Sequence, residues 1–241
     1  MLKNTLKSNK YFNFIYRRIL FPNLSQPEKD IYYLRGLNFD YSLDIGANVG
    51  TYSIELSKIS KKVIAFEPIK KIFKYTKEYL PKNVFLNNFA LGNCIQKHKI
   101  FTPVQNNNIE YALSSIKNKP KHFVFETVII KKFDLIYKQK NFLDKIDFIK
   151  IDTEGYEYEI ILGMKKFLKK RNPIFLIEIE KKHNREFKKF FLLMKNLGYK
   201  VCIYDNTEKL LKNLDFKFIL NKKLNINFNK KLGNNFWFIK Y

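Results

Sequence analysis

Cysteine, histidine and arginine are scarce in this 241-residue chain, and long apolar runs are missing. Cys94 and Cys202 stand far apart without a CxxC partner, which excludes a disulfide framework and a thiolate zinc site. His98, His122 and His183 show no HxxxH spacing, so no metal site is expected. No stretch approaches the ~18 consecutive apolar residues that a membrane span needs. The opening MLKNTLKSNKYFNFIYRRILFP is basic, yet it lacks the unbroken apolar core and small-residue cleavage site of a secretion signal. A cytoplasmic location is therefore the expectation.

Acidic residues are also few, 22 against 46 Lys+Arg, for a formal charge of +24. Such an excess is the electrostatic footprint of nucleic-acid or anionic-surface binding. Only Arg17, Arg18, Arg35, Arg171 and Arg185 carry guanidinium forks, however. The rest is lysine, arriving with abundant Asn, Ile, Phe and Tyr. Lysine spread over solvated faces reads as compositional bias more readily than as a nucleic-acid reader, which favours arginine. Nucleic acid is accordingly disfavoured as a partner. Oligomeric state is not legible from the sequence.

What is present is enough apolar sequence, 46% of residues, for one α/β domain. An N-terminal basic and aromatic helical extension is expected over residues 1–36, followed by a domain over 37–241. Within the extension, Tyr11, Phe12, Phe14, Ile15, Tyr16 and Ile19 with Arg17 and Arg18 could touch a membrane surface, although docking on the domain is preferred. Ser25 and Glu28 have capping-box spacing, Pro27 suits a first turn and Gly36 can end that helix. From Tyr41 short apolar strands alternate with amphipathic helices, the rhythm of a parallel sheet covered by helices. Over 92–133 the rhythm breaks into a polar insertion, read as a lid or excursion, and the β-rich run FVFETVIIKK. It resumes with strand IDFIKID, a single helix YEYEIILGMKKFLKK, strand PIFLIEIE, helix REFKKFFLLMKNLG, strand YKVCIYD and a last strand NNFWFIK.

The turn in SLDIGANVGTYSIEL carries the most information. A dinucleotide site needs G-x-G-x-x-G/A, and counting from Gly46 those positions hold Asn48 and Thr51. What remains is Asp44, Gly46, Asn48 and Gly50 at alternate positions. That set fits a ligand offering an amine and hydroxyls in place of a pyrophosphate, namely S-adenosylmethionine. Asp44 would accept from its amino group, directly or through water. Glu67 in AFEP, 23 positions after Asp44, stands where a ribose diol is held.

These segments resemble the FkbM-type methyltransferases. LDIGANVGTYSIEL is similar to the first motif of that family, VIAFEP to the second, NNFALGN to the segment after the third strand and FIKIDTEGYEYEIILGM to its most distinctive block. PIFLIEIE resembles the following strand, and ALSSI a Ser-Ser stretch in the insertion. Thr153 and Tyr156 stand where valine and alanine are common, and Phe133-Asp134 replaces a Leu-Asp pair. The resemblance implies a Rossmann-like class I methyltransferase fold: a mostly parallel seven-stranded sheet, helices on both faces and an antiparallel last strand. It further implies methyl transfer from S-adenosylmethionine to a hydroxyl of a sugar, glycolipid or natural product. Asn88 and Ala90 would border the adenine by the same analogy.

Acceptor chemistry is expected where KIDTEG and IEIE end, since ligands sit outside the carboxyl ends of such strands. Asp152 or Glu154 is the expected base or acceptor anchor, with Glu178 and His183 in support. Asp152 with Glu178 could instead hold a divalent cation through hard oxygen ligands, although none is predicted. Glu157 and Glu159 read as first-turn residues favoured by the helix dipole.

Overall fold

The computed structural model describes residues 29–105, 108–139, 144–180, 184, 186–220 and 233–241. The aromatic opening segment, the capping-box residues and His183 lie outside these described residues.

Five parallel strands form the middle of the main sheet: β1 (Phe39–Ile45), β2 (Ser60–Phe66), β3 (Val84–Asn87), β8 (Ile146–Ile151) and β9 (Ile174–Glu178). β1 sits between β2 and β8, so the chain reverses its direction of winding beside β1. Loops following β1 and β8 therefore diverge there and leave a crevice at the strand ends. The last strand, β12 (Asn235–Ile239), inserts antiparallel between β9 and β10 (Lys200–Asp205), as expected.

An eighth strand, β11 (Leu210–Leu214), adds antiparallel to β10 at the edge. Seven strands were expected. β11 has no apolar alternation because it is only partly covered; a turn fixes it, with Asp205 Oδ1 accepting from the Thr207 and Glu208 amides and Lys209 left-handed at φ 56°.

Helices α1 (Lys29–Leu34) and α2 (Thr51–Ile59) cover one face. There Leu34, Leu56, Val63, Phe148, Leu176 and Trp237 share a core. Of the segment assigned to the extension, residues 29–36 are described. Leu34 is fully buried, and Asp30 accepts from Trp237 Nε1 at 2.5 Å and Asn235 Nδ2 at 3.1 Å, tying α1 to β12. α3 (Lys70–Lys77) follows β2, and the opposite face is packed by α5 (Glu157–Gly163) and α7 (Phe187–Asn196).

Two segments differ from expectation. The insertion is not an open loop: β5 (Gln96–Gln105) and β7 (Phe123–Lys132) form a long antiparallel hairpin, flanked by β4 (Ala90–Gly92) and β6 (Asn108–Ile109) in a second, four-stranded sheet. β5 is exposed over its first four residues, which hides its alternation. The expected single helix after β8 is broken at Met164, with α6 (Lys165–Leu168) starting anew. Gly163 packs on the chain at β4, where a Cβ would lie 2.0 Å from Gly92 O. Asp134, in α4 (Phe133–Gln139), accepts from the Lys166 and Phe167 amides at 3.0 Å and restarts the helix. A single 3-10 turn (Tyr111–Leu113) between β6 and β7 and a short α8 (Phe216–Leu220) complete the described elements.

Candidate active site

Four amides of the glycine turn after β1 are already engaged within the fold. The Gly46 and Ala47 amides both donate to Phe66 O at 3.0 Å, the Gly50 amide to Ala47 O at 2.7 Å and the Asn48 amide to Glu67 Oε2 at 2.9 Å. Gly46, Asn48 and Gly50 all have positive φ, 84°, 47° and 74°. Asparagine tolerates that conformation better than most residues. α3 and the chain just beyond it hold the turn from behind, with Thr76 Oγ1 donating to Asn48 O and Tyr79 OH to Val49 O. A pyrophosphate would find these amides already engaged, which carries the distinction drawn from the glycine spacing.

Glu67 lies at the end of β2, 4% exposed, and its oxygens accept from the Asn48 amide and, at 2.7 Å, the Ile69 amide. A carboxylate oxygen accepts two hydrogen bonds. Each oxygen thus keeps capacity for one more donor, the demand of a vicinal diol. Burial pushes the Glu67 carboxyl up to about 7 despite those two amides. Asn88 does not border the cleft. Its Nδ2 donates to Glu67 O and Pro68 O at 2.9 Å and so fixes the strand end that carries Glu67. Ala90 does line it.

Asp44 is buried beneath the turn rather than in the cleft wall and accepts from Ser53 Oγ at 2.5 Å. Burial raises it to about 6, the Ser53 bond offsetting part of the effect. Its influence on a bound amine must pass through Ser53, the turn or water.

The cleft in front of the turn encloses about 650 Å³, part of it open to solvent. Gly46, Asn48, Glu67 and Ile69 form one wall, Asp152, Thr153 and Glu154 another. The insertion closes the rest with Ile100 of β5 and with Tyr111, Ser114 and Ile116 of the connection between β6 and β7. Those residues escaped the sequence reading apart from the likeness of ALSSI, because they become neighbours of Gly46 only when the insertion folds back. Ser115 Oγ then donates to Glu154 O at 2.7 Å, and Ser114 Oγ pairs with Thr102 Oγ1 at 2.8 Å.

The acidic strand ends do converge. A small pocket beside the cleft is lined by Asp152, Glu154, Glu157, Glu178 and Glu180. Glu154 is left-handed at φ 50° and is followed by Gly155 at φ 101°. Burial, then repulsion from Asp152, Glu180, Glu178 and Glu157, pushes its carboxyl up to about 8. Glu178 is raised by burial and by Asp152, with which it shares a hydrogen bond. Glu157 corrects the reading of a mere first-turn residue. It is 1% exposed, Oε1 accepts from Thr153 Oγ1 and the Gly155 amide at 2.9 Å, and Oε2 from Asn184 Nδ2 at 2.8 Å. It clamps the loop that presents Glu154. Glu159 pairs with Lys117 of the insertion at 2.6 Å. Among the described residues no group of three or more His, Cys, Asp and Glu is arranged to hold a metal ion, and no helix is long and apolar enough to cross a membrane.

These carboxyls make the cofactor-free protein pH-sensitive. Asp44, Glu67, Glu154 and Glu178 all hold protons more tightly folded than unfolded, where carboxyls titrate near 3.8 to 4.5. The folded state then binds more protons than the unfolded one, and stability falls with rising pH wherever that holds. The contribution is complete below about pH 4 and drains as pH rises through about 6, 7 and 8 for Asp44, Glu67 and Glu154. Melting scans of the cofactor-free protein should show Tm falling from pH 5 to pH 8.5; a flat or rising Tm would contradict this electrostatic picture.

A parallel sheet with its switch point at β1, a glycine turn with four engaged amides, a diol-ready Glu67 and an antiparallel last strand define a class I methyltransferase fold. The family model for the Methyltransferase FkbM domain matches residues 44–201, and the chain belongs to that family. No curated protein matches the chain. Solved structures that it resembles include methyltransferase FkbM from Methylobacillus flagellatus KT, at 13% identity over 83% of this chain and 43% of that one, TM-score 0.45. A TehB-like SAM-dependent methyltransferase from Corynebacterium glutamicum is similar at 13% identity over 95% and 97%, TM-score 0.42. A Streptococcus mutans protein in complex with SAH is similar at 16% identity over 75% and 88%, TM-score 0.45. The chain thus spans less than half the length of the first of these.

Proposed function

We propose that this protein binds S-adenosylmethionine in the cleft and transfers its methyl group to a hydroxyl of a small-molecule or glycan acceptor. The observation that carries this reading is one cleft with a diol-ready carboxylate, Glu67, on one wall and the carboxyl groups of Asp152 and Glu154 on the other. S-adenosylmethionine supplies an electrophilic methyl on a sulfonium. The chain's part is to align the acceptor in line with that methyl, exclude water and take the hydroxyl proton. Glu154 suits the last role because its proton affinity lies close to a working pH. Asp152 and Glu178 orient the acceptor. Carboxylates at this edge would repel a phosphodiester, which favours a neutral polyhydroxyl acceptor over nucleic acid. The free thiols Cys94 and Cys202 suit a cytoplasmic site of action.

Calorimetric titration with S-adenosylmethionine tests the cofactor half. Saturable 1:1 binding is expected, weakened about tenfold or more in Asp44→Ala, because the hydrogen bond from Ser53 Oγ that braces the turn from beneath is lost. No heat from folded protein would overturn the assignment. For the acceptor half, incubation with methyl-labelled cofactor and glycolipid or glycan extracts should place label on oxygen; label recovered only in RNA would redirect the reading.

A further inference from the structure

Lys150, the penultimate residue of β8, is fully buried, a position where a lysine is costly unless its charge is used. Its Nζ lies 3.7 Å from Asp152 Oδ2 and 3.9 Å from Glu178 Oε2, and 4.8 Å from the centre of the Tyr52 ring. Ile151 O, at 3.5 Å, is a marginal hydrogen-bond acceptor for it. In register, Lys150 pairs with Asp44 on β1 and with Leu176 on β9, two residues before Glu178. Side chains two apart on a strand share a face, so Asp44, Lys150, Asp152 and Glu178 all project to the side covered by α1 and α2. The charged or titratable groups that act on Lys150 are thus Asp30 from α1, Tyr52 from α2, Asp44 from β1, Asp152 just beyond β8 and Glu178 at the end of β9.

We infer that Lys150 is a positioning residue whose buried ammonium is the shared counter-ion of the acceptor-side pair Asp152 and Glu178 and of the cofactor-side Asp44. It keeps two neighbouring carboxyls, which would otherwise repel, side by side at the acceptor edge. It also links that edge electrostatically to the carboxylate under the glycine turn. At these separations in a poorly solvated site one positive charge strongly biases carboxyl ionisation. This assignment rests on the methyl-transfer reading for its purpose, but its test needs neither cofactor nor acceptor.

Carbon-13 carboxyl NMR titration of the full chain should show the Glu178 resonance titrating above the ordinary carboxyl range, raised by burial and by neighbouring Asp152. In Lys150→Met the midpoint should rise by about one pH unit or more, a tenfold change in proton affinity. A folded Lys150→Met protein with an unmoved midpoint overturns the inference. If that variant does not fold, nitrogen-15 detection of Lys150 Nζ in the unaltered protein decides: the resonance should move as Glu178, 3.9 Å away, loses its proton, and a signal indifferent to that event overturns the inference equally. Absence of S-adenosylmethionine binding would refute the functional reading and leave this titration intact; an unmoved midpoint with binding preserved would do the reverse.

Discussion

Gly46→Ala should abolish cofactor binding and destabilise the fold by about 4 kcal/mol or more, the range reserved for clashes and strain that cannot relax. A Cβ at this position would stand 1.8 Å from Asp152 O and 2.8 Å from its carbonyl carbon. That is backbone, and it cannot swing away like a side chain. Asp152 is itself anchored, its amide donating to Ile45 O at 2.9 Å, so displacing it would pull the acidic strand end off β1. Gly46 also has φ 84°, where any other residue is strained. Gly233→Ala separates the two causes, because φ is 78° there but none of the described residues lies within 4 Å of the added methyl. It should cost only about 1 kcal/mol, as a conformational penalty alone does. Urea unfolding of both variants, with calorimetry using S-adenosylmethionine, checks the contrast. A Gly46→Ala protein as stable as Gly233→Ala would show that the two strand ends are not in contact.

Glu154→Gln should reduce the methyl-transfer rate by a factor on the order of 10² to 10⁴, the usual worth of a positioned general base. Cofactor affinity should change less than about threefold, since an interaction made only in the transition state leaves ground-state binding alone. The substitution keeps size and shape and removes only the capacity to take a proton. The backbone that presents the side chain is held from elsewhere, by Ser115 Oγ and Asn118 Nδ2 on Glu154 O and by Glu157 on the Gly155 amide. In the unaltered protein the rate should climb with pH as Glu154 loses its proton near 8. Transfer of labelled methyl into the accepting extract, followed against pH, reads both effects. A Glu154→Gln enzyme with an unchanged rate would move the base to Asp152 or Glu178.

The sequence made the cofactor side legible because its chemistry is local. Asp44, Gly46, Asn48 and Gly50 lie on one turn, and their spacing alone separates an amide-filled turn from a phosphate cradle. Glu67 was legible because each strand-helix unit of a parallel sheet has a narrow range of lengths, which fixes where the next strand ends. The acidic ends of β8 and β9 followed from the same regularity.

The acceptor side was less legible, for reasons of distance and of burial. β5 reads as polar because half of it faces water, so its role as a cleft wall was hidden. Glu157 reads as a favourable charge near a helix start, and only the approach of Asn184 and the turn at Thr153 and Gly155 reveals a buried clamp. Lys150 carried a signal that could have been used: a lone lysine in the otherwise apolar interior of IDFIKID needs a counter-ion.

Alternation of apolar residues, the glycine spacing and the carboxylates at strand ends thus determined by themselves the layered sheet, its switch point and a glycine turn unlike that of a dinucleotide site. All of these depend on contacts between residues close in sequence or on strand periodicity. Tertiary structure alone decided which carboxyls share a cation, how the insertion shuts the cleft and where the long helix breaks at Met164. Those outcomes depend on atoms far apart along the chain, and no local pattern encodes a distance that exists only once the sheets have packed.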